Sequence, residues 1–107
     1  MDEQPGLACR LVGPEFAARK ERITRELFAH VERVDELADG FAFRFPALEP
    51  WPNKVIDFIA AERECCPFFR FEVVFEPNGG PLWLRMSGEN GAKTFLESEL
   101  GLTAPDR

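Results

Sequence analysis

Phenylalanine-rich runs of alternating polarity constrain the fold of this chain more than any other feature. Residues 41–45 read Phe-Ala-Phe-Arg-Phe, and residues 69–76 read Phe-Arg-Phe-Glu-Val-Val-Phe-Glu. Residues 82–86, Leu-Trp-Leu-Arg-Met, repeat the pattern. Side chains along a strand point alternately to the two faces of a sheet, so each run presents one apolar and one polar face. The pattern therefore predicts a sheet whose apolar face is covered and whose polar face is open.

Three further segments carry apolar residues at helical spacing and are predicted to be helices. The first begins at Pro14, because proline is favoured at the first helical position, and runs to about His30. The second begins near Pro52 and ends near Cys65, since Pro67 disfavours the helical region for the residue before it.

The third helix is predicted to be capped by Ser87-Gly88 and to end at Gly101, a residue type typical of helix C-termini. Asp39-Gly40 predicts a two-residue hairpin after a weak strand over 31–38. The glycine- and proline-rich segment 77–81 predicts the turn of a second hairpin.

The predicted fold class is α+β: an antiparallel sheet of four to five strands with helices on one face, in the order (β)αββαββα. The strand in parentheses is a possible short edge strand at 7–11. Residues 1–6 are predicted to form a flexible tail, and residues 7–107 a single α+β domain. Two hairpin-plus-helix halves repeat weakly. The predicted shared core comprises Phe43, Phe45, Ile59, Phe69, Phe71, Phe75, Leu84 and Phe95.

Composition restricts the class of partner. The net charge of −6 argues against nucleic acid and anionic membrane surfaces, which attract basic proteins. No apolar run approaches membrane-spanning length. Three cysteines are an odd number and too few for a secreted disulfide framework, so we expect a cytoplasmic protein with free thiols.

The adjacent cysteines Cys65 and Cys66 are the chemically distinctive feature of the chain, and Glu62 lies one helical turn before them on the apolar stripe. A carboxylate in that position needs a partner. Thiolates select soft cations, so the segment predicts a soft-metal site with Cys65 and Cys66 as ligands and with Glu62 either as a third ligand or orienting Arg63. The simpler interpretation is that both cysteines are small hydrophobic residues packed where a helix turns into a strand.

A redox role is less favoured at this position. Cys65 is predicted at a helix C-terminus, where the helix dipole and Glu64 disfavour a thiolate; Arg63, a possible neighbour of the ligands, opposes them. Cys9 is a possible extra metal ligand. Cys9 and His30 together with the cysteine pair would make a four-ligand zinc site, but the spacings of these residues match no zinc signature.

The segment Glu62-Arg63-x-Cys65-Cys66-Pro67-Phe68-Phe69, with the later Gly88-x-x-Gly91-x-Lys93, resembles a family of small bacterial proteins that share an E-R-x-C-C-P-F motif and have no established activity. The resemblance covers most of the chain. It implies that relatives of this chain occur near heavy-metal-responsive regulators, which favours a thiophilic metal as the ligand.

The sequence thus favours a small cytoplasmic protein that binds a soft metal ion or a metal-bearing small molecule, with no assigned catalytic residue. The alternative is a non-catalytic interaction or ligand-sensing domain with structural cysteines, in which the open sheet face is the working surface. A third interpretation is catalysis by the thiols and the carboxylate. Metal content and turnover discriminate among the three.

Overall fold

The structure is a computed structural model that describes residues 13–89 and 91–101. The described residues form three helices and four strands, which confirms the predicted α+β class and the order αββαββα. The predicted strand at 7–11 and the tail at 1–6 lie outside the described residues. The elements are α1 (Pro14–Phe28), β1 (Arg33–Leu37), β2 (Gly40–Phe45), α2 (Trp51–Cys65), β3 (Arg70–Phe75), β4 (Leu82–Ser87) and α3 (Ala92–Leu100).

The four strands form one antiparallel sheet in the order β1-β2-β4-β3. Each hairpin contributes a neighbouring pair, and the two hairpins meet where β2 pairs with β4. In the centre of the sheet, Phe43 lies opposite Val34 on one side and Leu84 on the other. Opposite residues point to the same face, so this register brings the alternating apolar residues of β2, β3 and β4 onto one side, together with Val34 of β1.

The core lies between that face of the sheet and the helices. Phe43, Phe45 and Phe58 are fully buried. Phe28 of α1 meets all three edge-on, with ring centroids 4.9, 5.8 and 5.2 Å away. Edge-to-face aromatic pairs add about 0.5–1.5 kcal/mol beyond the area that they bury. The aromatic cluster therefore fixes α1 and α2 against the sheet, and with them the ends of these helices.

The first hairpin turn is shifted by one residue from the prediction. Leu37 pairs with Gly40, so the two loop residues are Ala38 and Asp39, and Gly40 is the first residue of β2. A Cβ on Gly40 would lie 1.9 Å from the carbonyl oxygen of Met86. Glycine is required here because the neighbouring strand approaches closely, rather than because the turn needs a left-handed residue.

The predicted core is confirmed in part. Phe43, Phe45, Phe69 and Leu84 are buried, and Ile59, Phe71 and Phe95 pack against them half-buried. Phe75 is 58% exposed, so its assignment to the core is wrong. It lies at the end of β3, an edge strand of the described sheet, where the helices do not cover it.

Two predicted helix ends also differ. α1 ends at Phe28 rather than near His30. Ser87 does not cap the third helix, because it is the last residue of β4 and pairs with Gly40. α3 begins at Ala92, after Gly91 in the left-handed region with φ 86°. Gly101 ends α3 in the left-handed conformation, as predicted. None of the helices formed by the described residues is long and apolar enough to cross a membrane.

Candidate functional site

The C-terminus of α2 positions the predicted ligands. The helix ends at Cys65, and Cys66 is extended, with φ −127° and ψ 77°, as Pro67 requires. The Cys66 N–H still donates to the Glu62 carbonyl oxygen at 2.6 Å, which holds the last turn together. As a result, Glu62, Cys65 and Cys66 face inward, with exposed fractions of 1%, 6% and 0%.

The buried carboxylate of Glu62 lies beside a lysine from another helix. Nζ of Lys20, on α1, is 3.1 Å from Oε1 of Glu62. The same ammonium donates a 2.7 Å hydrogen bond to Oε2 of Glu99, on α3. One cation therefore bridges two carboxylates, and each of the three helices contributes one member of the cluster.

The charges of this cluster do not balance, and the pKa values reflect that. Burial, and after it the negative charge of Glu99, raises the pKa of the Glu62 carboxyl; Lys20 opposes this, and the resulting pKa is about 7. Burial would lower the pKa of Lys20, but the hydrogen bond to Glu99 and the attraction of both carboxylates raise it above its usual value. The buried Glu62 therefore retains its proton to near-neutral pH.

The sulfur of Cys66 belongs to the same cluster. Its Sγ and one carboxylate oxygen each from Glu62 and Glu99 lie within 4.8 Å of one another. Cys66 is in a disulfide, so the expectation that every thiol is free is wrong for this residue. Cys65 is a free, buried thiol, which confirms that the two neighbouring cysteines are not bonded to each other.

The Cys65 thiol lines a groove that also reaches Lys20 and Glu99. The groove lies between α1 and the end of α3, has a volume of about 560 Å³, and includes Phe28 and Leu100 in its wall. Burial raises the pKa of the Cys65 thiol; Lys20 opposes this, whereas Glu62 and Glu99 add to it. The thiol is therefore protonated at neutral pH and does not have the low pKa of a redox nucleophile.

The predicted site residues are brought together in part. Glu62 and Cys66 share the cluster, and Cys65 lies on the groove wall beside it. Cys9 lies outside the described residues. Arg63 is exposed, and the described ion pair of Glu62 is with Lys20 instead.

Sequence reasoning missed Lys20 and Glu99. A signal for Lys20 was present, because it follows Phe16 by four residues and precedes Ile23 by three, which places it on the apolar stripe of α1. An acid on one apolar stripe and a lysine on another are candidates for a buried pair. Glu99 had the same signal, since it follows Phe95 by four residues and Leu96 by three, on the apolar stripe of α3.

Comparisons of the chain with protein-family models, with curated proteins and with solved structures gave no match.

Proposed function

We propose that this protein binds a soft metal ion through Cys65 and Cys66, with Glu62 as a third, weaker ligand. The observation that supports the proposal is the cluster in which the Cys66 sulfur and the carboxylate oxygens of Glu62 and Glu99 lie within 4.8 Å of one another. Cys65 is not a member of this cluster, but it lines the groove that reaches Glu99. Sulfur and carboxylate donors at this separation can bind one ion after small side-chain movements.

The chemistry of the donors favours Hg(II) or Cu(I) over Zn(II). Two sulfurs from adjacent residues do not easily take two ideal tetrahedral positions, and a closed zinc site needs four donors. A linear or trigonal soft ion needs two or three. The high pKa of Cys65 is no obstacle, because a soft cation displaces thiol protons as it binds.

Binding by Cys66 requires reduction of its disulfide. Two molecules of a low-molecular-weight thiol supply the two electrons and two protons, and leave as their own disulfide. The proposal therefore assigns metal binding to the reduced protein in a reducing compartment such as the cytoplasm.

Native mass spectrometry of the reduced protein, with Hg(II), Cu(I) or Zn(II) added separately, tests the proposal. Competition against a small dithiol chelator then gives relative affinities. We expect Cys65→Ser and Cys66→Ser to weaken Hg(II) binding strongly and Glu62→Gln to weaken it less, because a carboxylate is a poor ligand for a soft ion. Cys9→Ser tests whether the third cysteine is an additional ligand.

Glu36→Gln is the matched control for Glu62→Gln. Glu36 is also a carboxylate paired with a lysine, Lys93, but it lies on β1 and is exposed. Its substitution should leave the affinity unchanged. If both serine variants compete as well as wild type, the cysteines are packing residues and the metal-binding proposal is wrong.

The alternative function, an interaction domain, draws support from the open face of the sheet. A shallow groove of about 310 Å³ crosses that face, with Trp83 and Val74 half-buried among Leu37, Ala42 and Arg85. Aromatic residues in such positions are common at protein interfaces. If this alternative holds, Trp83→Ala should abolish partner binding, whereas substitution of the cysteines should leave partner binding unchanged.

A further inference from the structure

We infer that Lys20 sets the ion selectivity of the cluster, because its ammonium occupies the position between Glu62 and Glu99 that a hard or borderline cation would need. The Hg(II) part of this inference rests on the proposed function. The Zn(II) part depends on the carboxylates and the lysine, whose contacts are described above.

The contacts of Lys20 are those expected of a bound cation. Its Nζ lies 3.1 Å from a Glu62 oxygen and 2.7 Å from a Glu99 oxygen, and the side chain is 13% exposed. A metal ion bridging the same two carboxylates would overlap the ammonium. Such an ion must therefore displace a cation that is covalently attached to α1 and never diffuses away.

One oxygen of Glu62 nevertheless has a lone pair that is free to bind a metal ion. Its Oε1 is buried, and it receives no hydrogen bond of acceptable geometry from the described residues, although Nζ of Lys20 is close. The ammonium thus lies within ion-pair distance of Glu62 without making a well-aligned hydrogen bond to that oxygen. In the reduced protein, removal of the ammonium would leave two carboxylates and the Cys66 sulfur around a position without a cation. These are three donors, to which Zn(II) can add a water as the fourth.

A soft ion is affected differently. Its principal bonds go to sulfur, so it does not depend on access to the position between the carboxylates. The ammonium therefore excludes ions that bind through oxygen and permits ions that bind through sulfur. This arrangement would select a soft ion against the more abundant hard divalent cations.

The test compares the Zn(II) and Hg(II) affinities of reduced wild type and Lys20→Gln, measured by competition with chelators of known affinity. We expect Zn(II) to bind Lys20→Gln at least about tenfold more tightly than wild type, and Hg(II) affinity to change less than about threefold. Lys20→Arg keeps a cation between the carboxylates and should restore the exclusion of Zn(II). Lys54→Gln makes the same charge change at a lysine near the start of α2 whose side chain is 39% exposed, and it should alter neither affinity.

An unchanged Zn(II) affinity in Lys20→Gln, or an equal gain in Lys54→Gln, would overturn the inference. Failure of wild type to bind Hg(II) would refute the proposed function, but a tenfold gain of Zn(II) affinity in Lys20→Gln would still support the role of Lys20. If Lys20→Gln does not fold, Lys20→Met preserves the packing of the alkyl chain, and the same Zn(II) comparison applies to it.

Discussion

Nζ of Lys20 donates a 2.7 Å hydrogen bond to Oε2 of Glu99 across 79 residues of sequence, and thereby joins the first helix to the last. Because the same ammonium also contacts Glu62 on α2, the cluster links all three helices on the covered side of the sheet. Its protonation and its occupancy by a cation should therefore affect the stability of the whole domain.

The first prediction concerns the pH dependence of stability. The folded-state pKa of Glu62, about 7, lies above its ordinary value of 4.5, so between these values the folded protein binds more protons than the unfolded chain. The free energy of unfolding therefore falls as pH rises. The contribution of Glu62 is fully present below pH 4.5 and is lost as pH passes through about 7.

Chemical denaturation at several pH values checks this prediction. From pH 5.5 to 8 we expect wild type to lose about 2 kcal/mol relative to Glu62→Gln, whose amide does not titrate. Identical slopes for the two proteins would contradict the raised pKa of Glu62.

A second prediction concerns Gly40. Gly40→Ala would place Cβ 1.9 Å from the Met86 carbonyl oxygen, so β2 and β4 must separate locally. We expect a loss of about 3 kcal/mol in the free energy of unfolding. Gly13→Ala is the control, because nothing lies within 4 Å of a Cβ at that position and its cost should stay below about 1 kcal/mol.

The aromatic core supplies a third prediction. Phe43 is fully buried and meets Phe28 edge-on, so Phe43→Ala should cost about 3–5 kcal/mol. Phe75 is 58% exposed, so Phe75→Ala should lower the free energy of unfolding by less than about 1 kcal/mol. Urea denaturation of both variants measures the difference, and similar losses would show that the edge of the sheet is assigned wrongly.

The fourth prediction concerns the oxidation state of the neighbouring cysteines. Cys65 and Cys66 lie on the same tryptic peptide, 64–70. After alkylation of the unfolded, non-reduced protein, mass spectrometry should find Cys65 alkylated and Cys66 linked elsewhere. A peptide 64–70 that is unalkylated and lighter by two hydrogen atoms would instead reveal a bond between the neighbours.

Local sequence patterns predicted most of the elements, and they predicted that Glu62 and Cys65 lie on the last turns of the second helix. The alternation in 41–45 and 82–86 identified β2 and β4, and Pro67 correctly predicted where α2 ends. These features are determined by neighbours in the chain, so the sequence displays them directly.

Features that depend on distant residues were not predicted. The exposure of Phe75 follows from the position of β3 at the sheet edge, which strand order determines. Ser87 looked like a helix cap until its pairing with Gly40 was known. Glu62 was recognised as needing a partner, but the partner lies on another helix, and tertiary packing alone selects Lys20 from the lysines of the chain.

The junction between β2 and β4 has a consequence for how the two halves depend on each other. Each half is a hairpin followed by a helix, and the halves meet in an approximate two-fold arrangement through this strand pair. If the halves were separated at this junction, β2 of one half and β4 of the other would each expose an edge of unpaired backbone groups beside an apolar face. A peptide that contains one half should therefore self-associate through that edge, reproducing with two identical copies the pairing that the full chain makes internally.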